Sequence, residues 1–296
     1  MEELETNKDL LEIPEDIRPS REEKDRDLLL AALLLFLHAA LLLLPVLLSP
    51  LGAYASLLHT ASYLVPVLLF VMYAKKTAPS PFLLPPKGKE LLATLPLLPV
   101  FLLSVIAVAA LTTLFIQSGN SSPVTDLGTA LLSHALLPAL LEEGLMRLAI
   151  LSLLYRHIGS TAVYVSAFLF MLLHAPISMP YALVGGILLG AVTLISRSVY
   201  VAILFHFINN ALSLLLAYLV DTAILPSPRI LEILLLGTLA LLSLLSAIYI
   251  IRHRRDPVYA PLNALLSPDG HREGLMSVAR SPLSLAMLFL LLLAVL

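Results

Sequence analysis

The sequence predicts an all-α fold: a polytopic transmembrane helix bundle of eight spans, or nine if the last apolar run also crosses. The chemistry-bearing helices fall in the second half of the chain. Three observations predict this. The 296 residues are 59% hydrophobic and only 13% charged, against about 25% charged in a soluble domain, and mean hydropathy is +0.96. Apolar runs recur near the length of about 20 residues that a bilayer core requires. Lys and Arg gather after every second run, as the positive-inside rule demands.

Residues 1–27 are polar and of mixed charge. They read as a solvated cytosolic arm, or as a short surface helix from Ser20. A signal peptide needs a basic start and a short apolar core; this segment is acidic-rich and runs into a full-length span. The bundle is expected over 28–251, with spans near 28–48, 54–74, 92–116, 127–155, 160–175, 181–196, 199–220 and 229–251. The fourth run is long enough for a span plus an extension. The fifth and sixth are short, separated by "HAPISMP", whose prolines break helices. Residues 252–281 read as a polar loop, and 282–296 as a weak terminal apolar helix that spans or lies flat.

Lys75, Lys76, Lys87, Lys89, Arg156, Arg197, Arg252, Arg254 and Arg255 follow even-numbered spans and share a side with Arg18, Arg21, Lys24 and Arg26. The other side carries Asp126, Asp221 and Arg229. A cytosolic N-terminus follows. The formal net charge of −2 gives no reason to expect nucleic-acid binding. The absence of cysteine excludes disulfides, thiolate-bound zinc and a cysteine nucleophile.

Ionisable groups inside spans face a bundle interior and point to function. The first cluster is Glu142, Glu143 and Arg147. Glu143 and Arg147 are four apart and share a helix face in the favourable order. Glu142 points about 100° away and lacks a partner in its own helix, which makes it the better proton acceptor. The second is Phe170 and His174, again four apart. The third is His206 and Asn210, flanked by Asn209; His with Asn can bind a metal, stabilise an oxyanion or pin helices together. Any one cluster suits a structural role. Three on separate helices supply a base, two imidazoles and an amide, a set able to activate water and stabilise an oxyanion.

Glu142-Glu143-x-x-x-Arg147, Phe170-x-x-x-His174 and His206-x-x-x-Asn210, in this order, resemble the three-motif signature of the CPBP intramembrane proteases. That family includes type II CAAX prenyl endopeptidases and the Abi bacteriocin-processing and self-immunity proteins. The likeness covers about 127–216. It implies an intramembrane endopeptidase in which Glu142 activates the hydrolytic water with help from His174. It implies further that His206 and Asn210 stabilise the tetrahedral oxyanion, with Glu143 and Arg147 in support. The family is often labelled as metalloprotease. Glu142, His174 and His206 can ligate zinc with water at the fourth position, yet HExxH is absent, and the sequence permits either mechanism.

Straight helices leave a geometric difficulty. His206 lies roughly 10 Å from the cytosolic start of its span and His174 roughly 21 Å from the start of its own. Convergence requires tilt, a displaced span boundary or a kink at Pro138. His134, on the same face as Pro138 and Glu142, is expected at the outer interface. The expected partners are membrane lipid and a peptide or protein substrate, a prenylated C-terminus being the substrate within the CAAX branch. The expected location is a prokaryotic inner membrane. Two other readings are a non-enzymatic immunity or scaffold protein that keeps the motifs for packing, and, third, an ion or metal transporter.

Overall fold

A computed structural model describes residues 20–48, 54–77, 80–115, 123–222, 229–267 and 271–295. Among these residues every regular element is helical. Ser20 opens α1 (Arg21–Leu47): its hydroxyl accepts from the Glu23 N–H, and the Glu23 carboxylate accepts from the Ser20 N–H. This reciprocal cap satisfies two donors that a helix start otherwise leaves bare. α2 (Ala55–Lys76) returns to the same end. α3 (Gly88–Thr94) and α4 (Leu97–Phe115) follow as one apolar rod. Residues 127–158 form a continuous helix, α5, capped by the Asp126 carboxylate. Then come α6 (Thr161–Leu172), α7 (Met179–Ser196), α8 (Val199–Asp221) and α9 (Arg229–His253).

Among the described residues, six helices are long and apolar enough to cross a bilayer. A bent pair makes seven if it is one span: α11 (His271–Ala279) and α12 (Leu283–Val295), meeting at 78°. The chain is an integral, multi-pass membrane protein. Two of the predicted spans are not among these helices. α5 (predicted as 127–155) is broken by π turns at Leu131–Leu136 and Gly144–Leu151. α6 (predicted within 160–175) has 12 residues, about 18 Å, short of the roughly 30 Å hydrocarbon core. α5 is long enough in total but irregular, and only α6 is short; neighbouring helices shield both, with Leu145–Leu151 and most of α6 buried. α9 is the opposite case, with Ile233, Leu234 and Leu241 exposed on the outside of the bundle.

Within the loop expected over 252–281, the described residues 252–267 and 271–281 are largely helical. A 3-10 turn (Pro257–Tyr259), α10 (Ala260–Leu266) and α11 fold back onto the bundle. Tyr259, Leu265 and Val278 are buried, and the Tyr259 hydroxyl donates to the Ala93 carbonyl. The weak last run packs: Leu283, Ala286 and Leu290 of α12 are buried in the same apolar cluster as α1 and α6. At the polar arm, residues 1–19 lie outside the described residues, but its last residue, Asp27, is buried instead of solvated. Asp27 accepts from Tyr73, bonds His157 at 2.9 Å and lies 3.8 Å from Arg156. These contacts place the start of α1 and the ends of α2 and α5 together. Apart from Arg147 in the interior and Arg229, every described Lys and Arg lies in segments at this end.

α7 is the central helix, with buried residues in both apolar clusters. Its glycines allow this. A Cβ on Gly186 would stand 3.1 Å from the Ala167 Cα, and one on Gly190 would stand 2.7 Å from Val163. A small-xxx-small stripe therefore lets α7 lie directly on α6.

Candidate active site

Two backbone irregularities position the site. Pro138 has no N–H to give to the preceding turn, and the kink expected there takes the form of the π turn at Leu131–Leu136. A second π turn begins at Gly144, immediately after the two glutamates. Such turns widen a helix locally and recur at functional sites.

His206 and His174 meet at Glu142, and a tight turn feeds the helix that carries His206. Arg197 takes a left-handed conformation (φ 52°), so α7 reverses into α8 within Ser196–Ser198. Ser196, Ser198 and Val199 are buried, and the Val199 N–H donates to the Phe82 carbonyl at 2.9 Å. The segment at 80–87 thus packs on one side of this turn, burying Ser198 and Val199, while Arg197 and Tyr200 stay exposed. The short α6 meets it from the other side, with His174 in the turn beyond its end.

Glu142, His174, His206 and Asn210 all line one cavity of about 360 Å³. The Glu142 Oε2 is 3.9 Å from His174 Nε2 and 3.9 Å from His206 Nε2. That oxygen is buried and has no hydrogen-bond partner. Each imidazole is oriented by its other nitrogen. His174 Nδ1 lies 2.8 Å from the Phe170 carbonyl, which can only accept, so Nδ1 carries the hydrogen. His206 Nδ1 lies 2.9 Å from the Glu143 carboxylate and donates likewise. Neutral imidazoles so held turn their Nε2 lone pairs toward Glu142.

Glu143 and Arg147 are fully buried, with Arg147 Nε 3.0 Å from Glu143 Oε2. Arg147 also donates to the Gly186 carbonyl at 3.2 Å and lies 4.6 Å from the centre of the Phe170 ring. Phe170 contacts both histidine rings edge-on, at 4.5 and 6.3 Å. One aromatic ring therefore spaces the two imidazoles and caps the cation beneath them. The Asn209 amide donates to Asn210 Oδ1 at 3.2 Å, which leaves the Asn210 N–H groups for the cavity.

Sequence reasoning missed two features, the His206–Glu143 bond and Tyr181, and placed a third residue, His134, only in part. His134, expected at the outer interface, is exposed and lines the cavity's outer part with Pro138, on the face it shares with Glu142. His206 bonds Glu143, a partner on another helix that no spacing within one helix can reveal. Tyr181 also lines the cavity; a tyrosine after two prolines carries no distinctive signal. As for zinc, no group of three His, Asp or Glu among the described residues is spaced to hold an ion. Glu142, His174 and His206 converge, but as placed they do not close into a ligand set.

A family model described as type II CAAX prenyl endopeptidase Rce1-like matches residues 124–212. The matched segment contains all three motifs. No curated protein and no solved structure matches the chain.

Proposed function

We propose, from the Rce1-like protease domain at residues 124–212, that the protein is an intramembrane endopeptidase whose hydrolytic water is activated by Glu142. The observation that carries this reading is the unpartnered Glu142 Oε2, 3.9 Å from the Nε2 of both histidines. Converging acceptors call for a donor between them. A water at the usual 2.8 Å from both Glu142 Oε2 and His174 Nε2 subtends roughly 90° between them, close to what its two hydrogens require.

The chemistry follows from these positions. Glu142 takes a proton from the water as its oxygen attacks the scissile carbonyl carbon, and His174 accepts the water's second hydrogen bond and orients it. The carbonyl oxygen becomes an oxyanion, and the Asn210 amide N–H stabilises it. His206 adds a second donor from Nε2 when it is an imidazolium, its Nδ1–H remaining on Glu143. Glu142 then returns the proton to the leaving amine as the C–N bond breaks. Arg147 offsets the charge of Glu143, so His206 stays held without a bare buried carboxylate beside it. No step is routed through a metal.

The test is cleavage of a quenched-fluorescent peptide library by purified protein in lipid nanodiscs. Turnover by the native chain and none by Glu142→Gln is the expected result. Equal turnover by the two would remove Glu142 from the mechanism.

A further inference from the structure

Along α5 and α8 the cavity lining extends from Glu142 and His206 away from the basic end. Following α5 away from its Arg156 end, the cavity-lining residues beyond Glu142 are Pro138 and His134. Following α8 away from its buried start, they are Asn209, Asn210, Ser213 and Leu214 beyond His206. Ser213 is exposed. His134 and Leu214 stand about two helical turns, roughly 12 Å, from the glutamate and imidazole they lead to.

The other direction is closed. On α5, Leu145 to Leu154 are buried without interruption. On α8, Val199, Val201, Ala202 and Phe205 are buried. Beyond them, the 80–87 segment bonds the α8 start and Tyr259 bonds Ala93. This closed end also carries Arg21, Lys24, Arg26, Lys75, Lys76, Arg156, Arg252, Arg254 and Arg255. Short segments rich in Lys and Arg stay on the cytosolic side of a membrane.

We propose that the cavity is entered from the extracytoplasmic side, and that its substrate is an extended peptide segment presented there. The proposal rests on the peptidase reading of the same site. It gives that reading a substrate class. A lipidated C-terminus held at the cytosolic leaflet would meet the packed basic end, at least two buried helical turns from Glu142. A segment exposed outside, or at the outer ends of a membrane helix, meets His134, Ser213 and the two asparagines first. Those groups offer an extended backbone donors and acceptors without selecting a charge.

The chain has no cysteine, so single-cysteine labelling can read the orientation directly. Ser213→Cys marks the cavity mouth, and Thr77→Cys marks the exposed end of α2 at the basic end. A membrane-impermeant maleimide applied to intact cells is expected to label the Ser213→Cys variant and to leave the Thr77→Cys variant unlabelled until the membrane is permeabilised. The reverse pattern would overturn the proposal, as would labelling of both or neither in intact cells. Labelling needs no turnover, so a failed peptidase assay leaves this readout intact. With active protein, supplying the peptide library to right-side-out vesicles should give cleavage and supplying it to inside-out vesicles should give none. Cleavage only in inside-out vesicles would place the substrate in the cytosol.

Discussion

His206 stands between the two adjacent glutamates, its Nδ1 2.9 Å from Glu143 Oε1 and its Nε2 3.9 Å from Glu142 Oε2. One imidazole thereby joins a buried structural ion pair to an open cavity. Glu143 has both carboxylate oxygens near cations or donors, whereas the Glu142 Oε2 has no hydrogen-bond partner. Neighbours in sequence are thus divided into a held carboxylate and an unpartnered one facing the cavity.

The two glutamine variants should separate these roles. Glu142→Gln keeps the volume and removes the proton acceptor, so turnover should fall by about 10²–10⁴-fold with little change in thermal unfolding. Glu143→Gln leaves the fully buried Arg147 without its counter-charge, a loss of about 3–5 kcal/mol. Thermal unfolding in detergent, run beside the peptide assay, reads both. Two variants equally inactive and equally stable would show the division to be wrong.

Arg147 and Glu143 should also be coupled. Arg147→Met alone strands Glu143; with Glu143→Gln the pair is replaced by neutral groups. The double variant is expected to be more stable than the sum of the two losses predicts, with a coupling of about 0.5–3 kcal/mol. Chemical denaturation of the four proteins measures it, and strict additivity would mean the 3.0 Å contact contributes nothing specific.

Gly186 should resist even alanine. The added methyl would lie 3.1 Å from the Ala167 backbone and 3.3 Å from Phe170, an overpacking of about 1–3 kcal/mol. Because Phe170 spaces both histidines, kcat should fall as well, with KM less affected. Gly237→Ala in α9 has nothing within 4 Å and should be neutral or stabilising by up to about 1 kcal/mol. Similar destabilisation at both positions would count against close α6–α7 packing as the cause.

The metal question is answered by elemental analysis and chelation of the purified protein. The spacing of Glu142, His174 and His206 favours retained turnover after chelator treatment, with zinc well below one equivalent. Loss of turnover that stoichiometric zinc restores would replace the glutamate-and-water scheme with a zinc-bound water.

Much of this protein is readable without coordinates. Low charge and repeated apolar runs specify a helical membrane bundle, because a backbone in lipid must satisfy its own hydrogen bonds. The i, i+4 spacing pairs Glu143 with Arg147 and leaves Glu142 unpaired, because both facts belong to a single helix. The ordered motifs name the residues that line the cavity. Other features depend on contacts between distant segments. Asp27, read as the end of a solvated arm, is buried by Tyr73 and His157. Residues 257–266, read as part of a polar loop, are packed onto the bundle through Tyr259 and Leu265. The meeting of His174 and His206 at one carboxylate was decided by tertiary structure alone. It requires a short α6, a left-handed Arg197 and a buried start to α8, and each of these is stabilised by a neighbour that lies far away in the chain.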